Sequence, residues 1–362
     1  PTPDGVVLWA GTFKTGLLRS GDLGSSWQAR NAGLTSQNWI SIALSPDFAT
    51  DQTMFSGGSG SGMRVSNDGG SAWQACGDEL NDLDIANIAI SPNFSSDGHV
   101  FAATPTGLFR SMDRGRTWGE VVNGFDLDDV QAIAFSSSYA DDRTVLAGGA
   151  LGLTYISADA GESWERIPHE FDSETVVALA TGPNFSVDRS VFVGTVGSGI
   201  AAVHVSHDGG ASFDRFVEHE TPTPWISLAI PPSYSDEDRM WLFATSSQVF
   251  RPTARFEDVW SGAYPADAET AVLSIATTPT FDDDATVYSA TSRGVFRSGN
   301  GGTGWVELNP GLDNRAVLRV AVSPNYAEDH AVFAMALGGE IWRLVDDPET
   351  RRGEAIEPTD IV

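Results

Sequence analysis

One phrase recurs along the chain and constrains the fold more than any other feature. In its full form it reads Ser-x-Asp-x-Gly-x-Ser/Thr-Trp, as in residues 111–118, and each copy ends on an aromatic residue. These aromatic residues stand at 27, 73, 118, 164, 213, 260 and 305, so the steps between them are 46, 45, 46, 49, 47 and 45 residues. A nearly constant step in the forties is typical of a protein built from repeated structural units.

The third position of the phrase indicates what the phrase does. An Asp or Asn side chain in a turn accepts hydrogen bonds from backbone amides, and the Gly that follows can adopt a positive φ. The phrase therefore predicts a tight hairpin turn, with the boxed polar residue in a structural role. The residues at this position are Asp22, Asp68, Asp113, Asp159, Asp208 and, in a relaxed copy, Asn300.

Three other segments recur with the same step, and all of them read as strands. They are typified by the inner segment Ile-Ala-Ile-Ser at 88–91, by Val-Phe-Ala-Ala-Thr at 100–104 and by Gly-Leu-Phe-Arg-Ser at 107–111. Each run is short, rich in β-branched and aromatic residues, and bounded by Gly, Pro, Asp or Ser. With the strand that begins at the boxed aromatic residue, each unit holds four antiparallel strands. Four short strands per unit of about 46 residues indicate an all-β fold, the β-propeller.

The number of strands bears on how such a ring closes. We count seven inner strands, with surplus second and third strands at the two ends of the chain. This favours a seven-bladed β-propeller of four-stranded antiparallel blades, in which the N-terminal segment completes a last blade begun at Val317. Eight blades, or a fragment of a longer array, are the alternatives. Residues 1–345 are expected to form one propeller, and the charged residues 346–362 a tail outside it.

The charge of the chain limits the classes of partner. Its formal net charge is −28, with 49 Asp and Glu against 21 Lys and Arg. Binding to nucleic acid phosphates or to anionic lipid needs a basic surface, so neither partner is expected. Cys76 is the single cysteine, and no run of about 18 apolar residues exists, so we expect neither an internal disulfide nor insertion into a membrane.

Acidic residues fall into two sets of loops. The loop after each inner strand has an acid at a fixed place, which predicts turn stabilisation; calcium binding by residues 282–284 is the alternative. The loops between blades hold irregular acids, which could attract a basic protein or a cation, or could be ordinary solvated loops. The regular set is Asp51, Asp97, Asp142, Asp188, Glu237, Asp284 and Asp329.

Departures from the repeat are the candidate binding residues. Trp39 and Trp225 replace the Ile or Val that starts other inner strands, Arg319 replaces Ser, Asn or Ala, and Tyr264 lies in the unit that lost its boxed phrase. Exposed aromatic side chains near a channel mouth could stack on a sugar or on a side chain of a partner, whereas packing between blades is the alternative. The six His residues have no metal-ligand spacing, and no cofactor is expected.

The recurring phrase resembles the Asp-box of BNR-repeat β-propellers. That group includes sialidases, xyloglucan-degrading glycoside hydrolases, the sortilin ectodomain and the photosystem II assembly factor family, and the resemblance covers residues 6–345. Sialidases have an Arg-Ile-Pro phrase ahead of their first box, whereas here Arg166-Ile167-Pro168 follows the fourth box. Xyloglucanases place two Asp residues in a cleft between two propellers, and this chain has length for one.

The resemblance to the assembly-factor group implies a non-catalytic role. A single propeller of that format is extracytoplasmic (secreted, periplasmic or on the cell surface) and engages a protein partner as an accessory or assembly subunit of a larger complex. The alternative is a carbohydrate-active propeller, either a glycoside hydrolase or a glycan-binding module.

Overall fold

The structure is a computed structural model of the 362-residue chain. It describes residues 8–12, 16–21, 27–34, 39–168, 171, 174–220, 226–232, 234, 241–245, 248–252, 259–261, 270–309, 316–323, 326–336, 341–346 and 354–356.

The described residues form eight antiparallel sheets, one after another along the chain. The first three are β1 (Leu8–Thr12), β2 (Gly16–Ser20) and β3 (Gln28–Ala29); β4 (Trp39–Leu44), β5 (Met54–Gly58), β6 (Met63–Ser66) and β7 (Gln74–Ala75); and β8 (Asn87–Ile90), β9 (Val100–Thr104), β10 (Gly107–Ser111) and β11 (Gly119–Glu120). The fourth and fifth are β12 (Val130–Phe135), β13 (Val145–Gly149), β14 (Thr154–Ser157) and β15 (Glu165–Arg166); and β16 (Thr175–Thr181), β17 (Val191–Gly197), β18 (Ile200–Ser206) and β19 (Asp214–Glu220). The last three are β20 (Ser227–Ala229), β21 (Leu242–Ala244), β22 (Val249–Pro252) and β23 (Val259–Ser261); β24 (Val272–Thr277), β25 (Val287–Thr291), β26 (Gly294–Ser298) and β27 (Val306–Glu307); and β28 (Val317–Val322), β29 (Ala331–Ala336), β30 (Ile341–Val345) and β31 (Glu354–Ile356).

Six single-turn helices follow inner strands, and each lies in the loop that carries the regular acid. In five of these loops the acid caps the turn: Asp97, for example, accepts from the Ser91 hydroxyl at 2.6 Å and from the His99 amide at 2.9 Å. The equivalent bonds of Asp51, Asp142 and Asp284 confirm the predicted turn role. Asp188 has Gly182 in place of the hydroxyl donor and accepts instead from the amides of Ser190 and Asn184. The helices are α1 (Phe48–Asp51), α2 (Phe94–Asp97), α3 (Tyr139–Asp142), α4 (Phe185–Asp188), α5 (Phe281–Asp284) and α6 (Tyr326–Asp329).

The hydrophobic core lies between neighbouring sheets. One cluster joins Phe101 and Leu108 of the third sheet to Val130 and Tyr155 of the fourth, and all four residues are buried. Hydrogen bonds also link residues one repeat apart, such as the Phe185 amide and the Ser137 hydroxyl at 3.1 Å. Equivalent parts of neighbouring sheets therefore lie side by side, which is why every sheet is apolar on both faces.

Because the sheets are aligned, their two ends are distinct. The turn end is formed by α1–α6 and by the boxed hairpins, such as residues 66–73. The connecting end is formed by the chain between consecutive sheets, such as residues 76–86, and by the hairpins between second and third strands. Loops that connect elements on a rigid scaffold are where binding residues concentrate, so the two ends are treated separately below.

The ends of the chain differ from the prediction. The described N-terminal strands β1, β2 and β3 form a three-stranded sheet of their own and are not part of the sheet begun at Val317. The outer strand of the eighth sheet is instead β31, which pairs with β30 through Arg343 and Ile356. Part of the segment 346–362, predicted to lie outside the propeller, thus belongs to a sheet. The physical reason is that any second or third strand of a repeat fits any blade, so local pattern does not select the pairing.

A buried polar network ties the eighth sheet to the seventh at the turn end. The Asp346 carboxylate accepts hydrogen bonds from the hydroxyls of Tyr288 at 2.6 Å and Tyr326 at 3.0 Å, and it pairs with the Arg297 guanidinium. Asp346, Tyr288 and Tyr326 are all at most 5% exposed. Because a buried charge is tolerated only when it is paired and hydrogen-bonded, Asp346 is an anchor of the fold.

Cys76 is buried at the start of the loop that leaves the second sheet. Its thiol donates to the Gly115 carbonyl at 3.0 Å, and burial raises the pKa of the thiol to about 12. A thiol that is both buried and protonated reacts slowly, because the thiolate is the nucleophile. We expect no labelling by a thiol reagent at pH 8 in the native protein and stoichiometric labelling in denaturant. Rapid native labelling would contradict this packing.

Candidate functional site

Some acidic residues of the connecting end form hydrogen bonds within the fold, and others do not. Asp84 accepts from the Ser59 hydroxyl at 2.9 Å and from the Gly60 amide, and Asp126 accepts from the Tyr155 hydroxyl. These carboxylates hold a connecting loop against a neighbouring hairpin or strand. Asp84 and Asp126 thus have a structural role in addition to their charge.

Other acids of this end project into solvent. Glu79, Asp82 and Asp128 are exposed, and their side chains make no hydrogen bond with the described part of the chain. The non-glycine residue Asp82 also has a φ of +61°. Exposed carboxylates gathered at one end create a negative field that attracts cationic partners. Both interpretations of the irregular acids, a surface that attracts a basic protein or a cation and ordinary solvated loops, fit this exposure.

The fifth sheet breaks the symmetry of the fold at the same end. Its strands β17, β18 and β19 each have seven residues, whereas β9, β10 and β11 of the third sheet have five, five and two. The register starts alike, because Val191 pairs with Ser206 as Val100 pairs with Ser111. The additional residues therefore lengthen the sheet only toward the connecting end.

A polar cluster fills the base of this extension. Glu174 accepts from the Thr195 hydroxyl at 2.5 Å with one carboxylate oxygen and from the Arg215 guanidinium at 2.7 Å with the other. His204 Nε2 lies 3.1 Å from the Thr195 hydroxyl and 3.7 Å from Glu174. A hydroxyl has one proton, so a Thr195 that donates to Glu174 accepts from the Nε2–H of His204.

Burial distinguishes the members of this cluster. The side chains of His204 and Glu174 are 6% and 15% exposed, whereas Arg215 is 43% exposed and also pairs with Glu218 at 3.4 Å. The ring of Phe171 lies 4.0 Å from the His204 ring, centroid to centroid. The cluster thus holds the connecting loop against the extension and leaves Arg215 and Glu218 at its surface.

Arg319 is the predicted binding residue whose side chain the structure describes. It lies in the inner strand β28, just after a bulge at Leu318, and it is exposed. Its guanidinium donates to the Leu273 carbonyl of the neighbouring inner strand at 3.1 Å. The other predicted residues are not brought to it by any described contact.

The remaining predicted binding residues lie outside the described part of the structure. Trp225, Tyr264 and the side chain of Trp39 are in this group, as is the boxed Asp22. The positions equivalent to Trp39 and Trp225 in other inner strands are fully buried. Those residues are Ile85, Val130, Val176, Val272 and Val317.

The boxed turns share one hydrogen-bond pattern. In the fourth sheet the Ser157 hydroxyl donates to Asp159 at 2.7 Å and accepts from the Gly161 amide at 2.8 Å. Asp159 also accepts from the amide and the hydroxyl of Ser163, at 2.9 and 2.5 Å, and from the Glu162 amide at 3.0 Å. Gly161 has a φ of +83°, as the turn requires. The same bonds from serine to the boxed residue and from glycine to serine recur around Asp68, Asp113, Asp208 and Asn300.

These bonds also set the ionisation of the boxed carboxylates. Partial burial raises the pKa of Asp159, but hydrogen bonds from Ser163, Ser157 and the Glu162 amide outweigh it and bring the pKa to about 2. The pKa of Asp208 is lowered to about 2 for the same reasons. A carboxylate held by amide donors at a turn stabilises the turn, so these residues serve folding.

Replacing Asp159 with alanine is expected to lower the free energy of unfolding by about 1–2 kcal/mol at pH 7, because a charge-assisted turn is lost. A folded pKa below the unfolded value stabilises the protein above about pH 4, and this stabilisation disappears as the pH falls toward 2. The difference between variant and parent should shrink over that interval in urea titrations. Asp159→Asn, which mimics Asn300, should lose less at pH 7; an equal loss would contradict the turn role.

Within the described ranges, no group of three or more His, Cys, Asp or Glu residues is placed to hold a metal ion. None of the helices described there is long and apolar enough to cross a membrane.

Sequence reasoning missed the extension of the fifth sheet. The signal was present, since the step from 164 to 213 is 49 residues and is the longest of the six. The excess falls in the hairpin between β17 and β18, whose ends Val191 and Ser206 are 15 positions apart, against 11 for Val100 and Ser111. The length of a step alone does not show which strands contain the additional residues.

Comparisons with known proteins support the same architecture. No family model matches the chain, and no curated protein matches it. Among solved structures, the GH74 xyloglucanase from Xanthomonas campestris is similar at a TM-score of 0.61 and 14% identity over 97% of this chain. YCF48 from Cyanidioschyzon merolae is similar at a TM-score of 0.54 and 14% identity, covering 82% of this chain and 92% of its own. The chain has a β-propeller fold.

A third propeller shows how widely this fold is used. A chain of the mitotic checkpoint complex is similar at a TM-score of 0.60 and 13% identity, covering 96% of this propeller and 93% of its own length. This propeller spans only 55% of the length of the xyloglucanase. At such identities the likeness shows the fold alone, because one fold hosts unrelated functions.

Proposed function

We propose that the chain is a non-catalytic, extracytoplasmic propeller of the Asp-box (BNR) type, with eight blades, that binds a basic protein partner through its connecting end. The observation that carries this proposal is the fifth sheet. Its strands extend at the end where Glu79, Asp82 and Asp128 are exposed. A scaffold that lengthens one blade at the end that carries these exposed charges has a surface there that its other described blades lack.

Two further observations support a binding role. At the turn end, the boxed and capping acids are occupied by hydrogen bonds within the fold, and the exposed acids Asp141 and Asp283 of that end serve as a comparison. Similar propellers include a chain that belongs to a multi-protein complex. Electrostatic complementarity chiefly sets association rate and partner choice, which suits an accessory subunit that recognises a cationic protein.

The test is affinity capture with a charge-matched control. The immobilised propeller is exposed to extracytoplasmic extract of the source organism, beside Asp82→Asn/Asp128→Asn and the turn-end control Asp141→Asn/Asp283→Asn. Because both variants remove two exposed charges, only the position differs. We expect a basic protein whose capture falls in the first variant and persists in the second. Equal capture by both variants would contradict a specific connecting-end site.

The second candidate function is a carbohydrate-active propeller. It is favoured by the similarity to a GH74 xyloglucanase over 97% of this chain and to an ancestral GH74 enzyme over 98%. Inverting and retaining hydrolases need two carboxyl groups about 5–9.5 Å apart, one with a raised pKa. Among the described residues, the carboxyl groups with a shifted pKa all lie in boxed turns, and the pKa of each is lowered. Release of reducing sugar from xyloglucan by the purified chain would establish this candidate instead.

A further inference from the structure

The outermost strand of the fifth sheet is unlike every other described outer strand. β19 has seven residues, whereas the outer strands β3, β7, β11, β15 and β27 have two and β23 and β31 have three. Short outer strands protect a sheet, because they offer few unpaired amides and carbonyls to another chain. The fifth sheet lacks this protection, because its outer strand has seven residues.

The second half of β19 is a usable edge. β19 pairs with β18 on one side, with a bulge at Phe216, and regular pairing resumes over residues 217–220. No strand among the described residues pairs with the other side of β19. Phe216 packs against Trp241 of the sixth sheet at 5.2 Å between ring centroids, which holds β19 in place. A strand that is already ordered binds another strand with less loss of conformational entropy.

The charges of β19 select what can pair with it. Asp214, Glu218 and Glu220 are exposed, and Arg215 is engaged by Glu174 and Glu218. A second copy of β19 would bring like charges together across the new ladder, which destabilises the pair. A strand with Lys or Arg at alternate positions would place opposite charges there. The same side chains thus exclude self-association and favour a basic strand.

We propose that β19 is a docking edge on which an extended, basic segment of the partner protein adds as a fifth strand of the fifth sheet. Main-chain hydrogen bonds to residues 217–220 provide the attachment, and pairing with Glu218 and Glu220 provides the selectivity. This inference rests on the proposed function, since it names how the basic partner is recognised.

The first test separates strand addition from charge attraction. The probe is a nine-residue peptide in which lysine alternates with valine, labelled for fluorescence anisotropy and titrated with the full chain at 150 mM salt. Its control is the same peptide with four consecutive central residues N-methylated, which removes the amide donors of both edges and keeps the charge. We expect binding of the first peptide and about tenfold weaker binding of the second. Equal binding of both peptides, or no binding of either, would overturn the proposal.

The second test locates the edge. Glu218→Lys/Glu220→Lys reverses two exposed charges on β19, and Glu120→Lys/Glu165→Lys reverses two exposed charges on two-residue outer strands. We expect the affinity for the unmethylated peptide to fall about tenfold in the first variant and to stay unchanged in the second. Equal losses would mean general attraction to an acidic protein and would overturn the proposal. Circular dichroism confirms that both variants fold.

The two sets of experiments distinguish failure of the proposed function from failure of the inference about β19. If capture of a basic protein depends on Asp82 and Asp128 while the peptide fails to bind β19, the binding function stands and this inference fails. If the peptide binds as expected but no basic protein is captured, the edge is real and the proposed function fails.

Discussion

Replacing Asp346 with alanine is expected to lower the free energy of unfolding by about 3–5 kcal/mol, because it leaves a partly buried guanidinium and two buried hydroxyls without their shared acceptor. Asp346 is 4% exposed and accepts from Tyr288 and Tyr326, beside its ion pair with Arg297. Urea denaturation followed by tryptophan fluorescence measures the loss.

The control for this variant is Asp283→Ala at an exposed position of the seventh sheet. Its effect should stay within about 0.5 kcal/mol, as for most surface substitutions. A double variant, Asp346→Ala with Arg297→Met, should recover part of the loss, since removing both partners leaves no unpaired charge. If Asp346→Ala is as mild as Asp283→Ala, the segment from 346 onward does not anchor the fold.

The tyrosines of this network give it a pH dependence. Burial, then the neighbouring Tyr326 and Asp346, raise the pKa of Tyr288 above its usual value. A folded pKa above the unfolded one contributes stability below about pH 10, and that stability is lost as the pH rises further. Alkaline unfolding should therefore begin where ordinary tyrosines ionise, and Tyr288→Phe should weaken this dependence.

Replacing Trp164 with alanine is expected to cost about 3–5 kcal/mol of unfolding free energy, as for large aromatic residues removed from cores. Trp164 is 3% exposed and lies between two sheets. Its ring centroid is 6.0 Å from that of Phe101 and 5.3 Å from that of Phe125. The indole Nε1 also donates to the Gly161 carbonyl at 3.3 Å, so the variant loses both packing between blades and support of the boxed turn.

Two matched variants show which contribution dominates. Trp164→Phe keeps an aromatic ring and imitates Phe213 of the next copy, so its loss should be well below that of alanine. Trp305→Ala removes the boxed aromatic residue of the relaxed copy, which is only partly buried, and should also cost less. Thermal unfolding ranks the three variants by their loss of stability. If Trp305→Ala lost as much stability as Trp164→Ala, burial of the ring would not explain the effect of Trp164→Ala.

The repeat could be predicted from the sequence because the same turn-forming and capping residues recur at the same places in successive units. These residues are those of the boxed phrase and the fixed acid after each inner strand. The structure shows that they form hydrogen bonds with residues only a few positions away in the chain. Local signals of this kind are readable without knowing the partner strand. The all-β architecture follows from their repetition.

The pairing of the chain ends and the candidate site could not be predicted in the same way. Repeated strands carry nearly the same pattern, so β1 and β2 fit a last blade as well as a first one, and the three residues of β31 carry no strand signal of their own. The cluster around Glu174 joins residues up to 41 positions apart. Its partners depend on how far the hairpin after β17 extends, which a count of residues alone does not show.

The extension of the fifth sheet also shows how such a ring can change without being rebuilt. Because Val191 still pairs with Ser206, the added residues leave the turn end and the packing between sheets in their original register. The added residues lie in the hairpin between β17 and β18 and in β19, at the end of the sheet where Glu174 of the connecting loop contacts Thr195. The hairpin between β9 and β10, closed by Thr104 and Gly107, lies at the same end of its own sheet. A hairpin of this kind is therefore a place where one sheet can lengthen while the turn end keeps its register.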